Sequence, residues 1–255
     1  PLITSMYIAR VLLVDGVGKV SYAINIVAYF TTFAVLGIPK YAPKEIAKCQ
    51  DDKEKRSRIF WEIFIINMIS TTISIAVYYI MVMRLPVFSE RREVMCFMGL
   101  QLVFYYFYVD WFYQGMEEYK YISIRNLLVK IISFIMLFLF VRDSADVYIY
   151  VMVYCAAIGM NHIYNFIHLC KYIEKPSKKI QLLCHIKPIL YLFVMMAVMQ
   201  IYTQAGVTML GIYYSDEQVA YYTNASRINT TIITLITSLG TVLLPRLSFL
   251  YKQKE

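Results

Sequence analysis

Histidine is scarce, with His162, His168 and His185 the only three in 255 residues. None lies at i, i+4 from another and none has an acidic neighbour in sequence, so no helical zinc site is expected. The five cysteines (Cys49, Cys96, Cys155, Cys170, Cys184) are odd in number and form no CxxC pair. That spacing argues against a disulfide framework or a zinc ribbon, and the cysteines are expected to serve as small hydrophobes. A phosphate-binding loop is missing too: Gly16-Val17-Gly18-Lys19 lacks the required spacing and is predicted to be a turn. With no nucleotide site and no catalytic constellation, the chain is not expected to be an enzyme or to hold a cofactor. Work done by it would draw on an ion gradient, the membrane potential or the gradient of its own cargo. No secretory signal is visible. Residues 1–9 resemble the end of a helix whose start lies upstream, so the chain is expected to be part of a longer protein.

Apolar residues are abundant. They make up 60% of the chain, and the mean hydropathy is +0.55, beyond the roughly 45–50% of soluble domains. The uncharged runs predict an all-α, polytopic membrane protein with about seven complete spans of the roughly 20 residues a bilayer requires. Span two is Val20 to Ile38, span three Ile63 to Met83, and span four Val94 to Met116 with Asp110 inside it. Span five is Ile122 to Val141 and span six Val147 to Cys170. Span seven lies within Pro188 to Ser215, and span eight is Gln218 to Leu244. The connections are short, apart from two Lys/Arg-rich stretches at 39–58 and 171–187.

The net charge of +8 does not indicate nucleic acid, because the basic residues cluster between apolar runs without interleaved aromatics. Their asymmetry sets topology instead. With alternating spans, seventeen Lys and Arg fall on one side and six on the other, while Lys130 and Arg227 fall inside spans. The richer side is cytoplasmic, so span eight runs inward. Within 37–58, Glu45 to Lys48 is predicted to form a short amphipathic turn at the membrane surface.

Charges inside spans are the sharpest functional signal, since each costs about 2.5–3.5 kcal/mol at a helix centre. Arg227 lies roughly 13 Å into its span at 1.5 Å per residue, near the midplane. At 100° per residue Thr223, Arg227, Thr230, Thr234, Thr237, Ser238 and Thr241 share one face. Arginine holds two phosphate oxygens at once and stays charged in a dry site, while hydroxyls and amides suit sugar hydroxyls. The candidate substrate cavity therefore comprises Arg227, Thr223, Thr230 and Thr234 with Asn25, Asn67, Gln200 and Gln204 from other spans. Polar stripes on span two (Ser21, Asn25, Tyr29, Thr32), span three (Asn67, Ser70, Thr71, Ser74, Tyr78), span six (Asn161, Asn165, His168) and span seven (Gln200, Thr203, Gln204, Thr208) would complete it. Asp110 and Lys130 are candidates for charge or ion coupling. Glu62 and Arg125 lie near the cytoplasmic end and are expected to snorkel.

The segments ARVLLVDGVGKVSYAINIVAYF (9–30), LGIPKYAPKEIAKCQDDKEK (36–55), VDWFYQGMEEYKYISIRN (109–126) and YYTNASRI with SLGTVLLPRLSFLY (221–251) resemble the Wzx-type oligosaccharide flippases of bacterial polysaccharide biosynthesis. These belong to the multidrug/oligosaccharidyl-lipid/polysaccharide exporter superfamily. The resemblance covers essentially the whole chain. It implies a MATE-like fold of two six-helix lobes around a cationic cavity, with residues 1–185 in the first lobe and 186–255 opening the second. It also implies alternating-access movement of undecaprenyl-pyrophosphate-linked oligosaccharide across the bacterial cytoplasmic membrane. The implied partners are membrane lipids and the polymerase and glycosyltransferases of the same pathway. The alternative within the superfamily is a multidrug/cation antiporter, which would prefer acidic residues in its first lobe. A membrane-embedded glycan polymerase would need a large external loop, and the predicted external loops are tiny.

Overall fold

The computed structural model describes residues 2–174 and 180–252, with the backbone alone described for Leu2, Leu235 and residues 238–252. Among these residues the chain is helical, with no strand. Ten α-helices follow in order: α1 (Leu2–Val11), α2 (Leu13–Val35), α3 (Ile38–Ala47), α4 (Lys53–Arg84), α5 (Arg92–Phe104), α6 (Asp110–Gly115), α7 (Tyr119–Phe140), α8 (Val147–Leu169), α9 (Leu183–Tyr213) and α10 (Asp216–Lys252).

Five segments among the described residues are long and apolar enough to cross a membrane: Leu13–Ala47, Lys53–Arg84, Tyr119–Phe140, Ser144–Leu169 and Leu183–Tyr213. The predicted spans two, three, five, six and seven fall in them. Span four does not form one helix. It breaks after Phe104 into a short 3-10 turn at Tyr105–Phe107, and resumes only at Asp110. Span eight lies in α10, which is 37 residues long and whose side chains are described only in part.

Local chemistry accounts for the helix ends. The Asp52 carboxylate caps α4 by accepting from the Lys55 backbone N–H at 2.9 Å, satisfying a donor that the first turn leaves unpaired. Leu36, at φ 47°, turns the chain sharply between α2 and α3. The predicted turn at 16–19 is instead helical. The chain turns at Leu13 (φ 57°), and Asp15 then sits in the first turn of α2, where it pairs with Lys19 at 2.7 Å. An acidic first turn with an i, i+4 cation favours helix there. The predicted short turn at 45–48 is the end of the longer helix α3, whose Ile38, Ala42 and Ile46 are buried at a spacing of four.

One apolar core joins α2, α4, α5 and α8 through Tyr22, Val27, Tyr78, Met95, Met98 and Cys155. A second joins α3, α4 and α6 through Ile38, Ile46, Phe60, Ile63, Trp111 and Phe112. Outside these cores, α7 exposes Leu127, Leu128, Ile131 and Ile135, and α9 exposes Val194, Met195 and Val198. Continuous apolar faces of that kind fit a hydrocarbon surround rather than water. Cys49 and Cys155 are buried as expected, whereas Cys170 and Cys184 are exposed.

Candidate functional site

Two helix pairs far apart in sequence, α1–α2 and α9–α10, line an open cavity of about 610 Å³. Its polar lining includes Ser5 from α1, Ser21 and Asn25 from α2, Thr203 and Gln204 from α9, and Thr223, Ser226, Arg227, Thr230, Thr231 and Thr234 from α10. Six of the eight candidate cavity residues therefore come together: Arg227, Thr223, Thr230, Thr234, Asn25 and Gln204. The contributions of Ser5, Tyr222, Ser226 and Thr231 were missed, because each lies off the stripes counted on single helices. Ser238 and Thr241, on the same stripe as Arg227, lie outside the described side chains, as do the loop cations Lys175, Lys178 and Lys179.

The bonding within this cavity is uneven. Asn25 Nδ2 donates to Gln204 Oε1 at 2.8 Å, and the Thr208 hydroxyl donates to Asn25 Oδ1 at 2.8 Å. Tyr29 bonds Thr208 at 2.8 Å. These amides and hydroxyls tie α2 to α9. The α10 threonines turn their protons back into their own helix: Thr223 donates to Val219 O, Thr230 to Ser226 O and Thr234 to Thr230 O. A hydroxyl bonded in this way keeps its lone pairs, so the α10 face presents acceptors to the cavity. Among the described residues Arg227 is the only charged one in the lining. Among the described residues no carboxylate and no hydrogen-bond acceptor reaches its guanidinium. Arg227 is half-buried, and its planar fork can hold two oxygens of an anion at once.

The other candidates lie elsewhere. Asn67 is fully buried and donates to the Tyr105 carbonyl at 3.0 Å, so it closes the backbone at the break in span four and does not reach the cavity. Its stripe-mates serve helix packing in the same way, Ser74 bonding Phe30 O at 2.6 Å and Tyr78 bonding Met95 O at 2.7 Å. Gln200 lies one turn from Gln204 on α9 but does not line the cavity. Lys130 is exposed on the outer face of α7. Asp110 is the first residue of α6, paired with Arg125 at 3.1 Å and bonded by the Asn165 amide. Arg125 itself is buried. It does not snorkel, because the break in span four delivers a carboxylate to it.

Glu62 also departs from the snorkelling expectation. It is buried beside His185, with Glu62 Oε2 and His185 Nε2 2.9 Å apart. Glu62, Cys184 and His185 bring three potential metal-ligand atoms within 4.8 Å of one another. Their polar atoms already have protein partners: His185 Nδ1 meets the Tyr41 hydroxyl at 2.8 Å, and Glu62 Oε1 accepts from the Gln181 N–H at 2.7 Å and lies 3.2 Å from Arg58. This cluster joins α3, α4 and α9 and needs no ion to be satisfied.

The family described as polysaccharide biosynthesis protein matches residues 1–250. Two similar curated proteins both carry the name "Putative O-antigen transporter". The one from Escherichia coli (strain K12) is 24% identical over 147 residues, covering 58% of this chain and 35% of its own length. The one from Shigella dysenteriae is 24% identical over 264 residues, covering 97% of this chain and 63% of its own length. The chain thus spans less than two thirds of the curated relatives it matches. No solved structure is significantly similar to it. With five apolar segments and a family match along almost its whole length, the chain is a multi-pass membrane protein that belongs to the polysaccharide biosynthesis protein family.

Proposed function

We propose that the protein moves lipid-linked oligosaccharide from the cytoplasmic to the outer leaflet of the bacterial cytoplasmic membrane, as a transporter and not an enzyme. The observation that carries this reading is Arg227: a half-buried cation without a protein counter-ion among the described residues, in a cavity lined by hydroxyl and amide groups. Pyrophosphate matches the guanidinium, because two oxygens can be held at once by a group that never loses its charge. The acceptor lone pairs of Thr223, Thr230 and Thr234, with the Asn25 and Gln204 amides behind them, match sugar hydroxyls. The family and the names of the two relatives point to the same class of cargo.

In this proposal residues 1–185 belong to the first lobe of a MATE-like transporter and α9 and α10 open the second, with the broken α5–α6 unit counted as span four. The cavity alternates between the two membrane faces. Polymerase and glycosyltransferases of the same pathway supply and consume the cargo. Asp110 acts in holding α6 to α7 and α8 rather than as a free coupling carboxylate, given its pairing with Arg125. The antiporter alternative is less well supported, since the cavity lining contains a cation and no acidic residue.

Surface polysaccharide in a strain depending on this protein tests the reading. Arg227→Ala should abolish surface glycan while the protein still accumulates in the membrane. Arg227→Lys should retain part of it, because a point charge replaces the two-oxygen fork. Normal surface glycan from Arg227→Ala would refute the assigned role.

A further inference from the structure

The cavity has two unlike ends. At the start of α10, Val219 is 0% exposed, packed in the core that holds Val20, Tyr22 and Val27 of α2. Along the face that Val219 begins, Thr223 and Ser226 are half-buried and Thr230 and Thr234 are exposed. α10 is thus clamped to α2 at its first turns and stands away from it farther down. By the distribution of Lys and Arg, the clamped end faces outside. The structure therefore has its outer end shut.

What shuts it is a buried ionic contact. Arg91, which ends the 3-10 turn after α4, lies with its Nε 2.7 Å from Asp216 Oδ1, and both side chains are about nine-tenths buried. Arg91 Nη1 donates to the Gly211 carbonyl at 2.7 Å, and the guanidinium lies 4.5 Å from the centroid of the buried Tyr22 ring. One side chain therefore grips α2, the end of α9 and the start of α10 together. Two glycines permit the approach. A Cβ on Gly18 would fall 1.9 Å from Asp216 O, and one on Gly211 would fall 2.1 Å from the Tyr22 ring. Asp15 and Lys19, paired at 2.7 Å, are the neighbouring charges.

The cost of burying such a pair argues that it has a role beyond stability. Desolvation of two charges cancels most of their attraction, and an apolar pair of the same volume would hold the helices at least as well. An ion pair differs in that it can be exchanged for water when the ends separate, since both groups are well hydrated once exposed. A greasy contact at the same place would resist opening.

We propose that Arg91 and Asp216 are the outer gate of the transport cycle: paired while the cavity faces the cytoplasm, and parted, each hydrated, when it opens outward. The proposal rests on the alternating-access reading above. It assigns the gate to two residues outside the cavity, neither of which touches cargo in the closed state.

Right-side-out membrane vesicles provide the test. A reporter cysteine at the cavity position Thr230→Cys is exposed to a membrane-impermeant maleimide from outside, and labelling of the parent without that cysteine is subtracted. The reporter should label slowly with the gate intact. Asp216→Asn and Arg91→Gln should each raise the rate by about tenfold, which is about 1.4 kcal/mol in the opening equilibrium. Arg91→Lys should fall between, keeping the charge but losing the bond to Gly211. The reciprocal pair Arg91→Asp with Asp216→Arg should return labelling toward the slow rate. If that double variant does not accumulate, the graded order of the single variants decides. Unchanged labelling in membrane-inserted Asp216→Asn and Arg91→Gln would overturn the gate. So would fast labelling in a well-inserted reciprocal variant, which would assign the contact to shape alone. Labelling requires no cargo, so failure of the Arg227 glycan test and failure of this one are distinguishable.

Discussion

Asp110 and Arg125 show how a charge in a membrane protein acquires its meaning from one partner. Alone in the sequence, Asp110 is a carboxylate inside an apolar run and a natural candidate for proton exchange. In the fold it meets Arg125 at 3.1 Å and the Asn165 amide, and the Tyr113 hydroxyl fixes the Asn165 carbonyl at 2.9 Å. Removing one member strands the other. Arg125→Leu should lower stability by about 3–5 kcal/mol, the usual cost of an uncompensated buried charge, read as a fall in the melting temperature in detergent. Adding Asp110→Asn to that variant should recover more than half of the loss. Arg227 behaves in the opposite way, since among the described residues no carboxylate reaches it and its deletion strands none of them. Arg227→Ala should leave the melting temperature within about 0.5 kcal/mol of the parent, as for other substitutions that disturb no packing. A large loss there would mean that the arginine holds helices and not cargo.

At the scale of the elements, close approach of helices depends on a few glycines. A Cβ on Gly37 would meet Ile189 O at 2.2 Å, where the α2–α3 corner touches α9. Gly37→Ala should therefore cost about 1–3 kcal/mol by overpacking, again measured by thermal melting, although its backbone torsions suit alanine. The apolar runs that became α2, α4, α7, α8 and α9 were legible because their length and hydropathy have few other uses. The split of span four was not. Tyr105 to Val109 is as apolar as its flanks, and the break is stabilised from a distance by Asn67, whose amide adds a second donor to the Tyr105 carbonyl that the Tyr108 N–H already bonds at 3.2 Å. The polar stripes were legible as stripes, yet their destinations were not. A serine facing another helix's carbonyl and a threonine facing a cavity have the same periodicity, and only the neighbouring helix separates Ser74 from Thr230. Glu62 and His185, 123 residues apart, could not be paired by local spacing at all.

For the molecule as a whole, the side rich in Lys and Arg defines which end of α10 is shut. A reporter fused after Asp143 should be active outside the membrane, and one inserted near Lys53 should be active only in the cytoplasm; the reverse pattern would turn the gate assignment upside down. With the outer end of α10 pinned at Asp216 and its inner part standing clear, the helix has the mechanics of a lever. Its 37 residues span roughly 55 Å at 1.5 Å per residue, so a tilt of about 10° about the Tyr214–Ser215 turn would carry the far tip by roughly 10 Å. Positions near the pivot, such as Ala220, would hardly move against α1 and α2. Spin labels at Ser5 and Thr234 should therefore report a much larger change in separation through the cycle than labels at Val17 and Ala220. On such a lever a small change of angle beside the paired Arg91 and Asp216 becomes a wide displacement at the inner end, while the outer end stays shut.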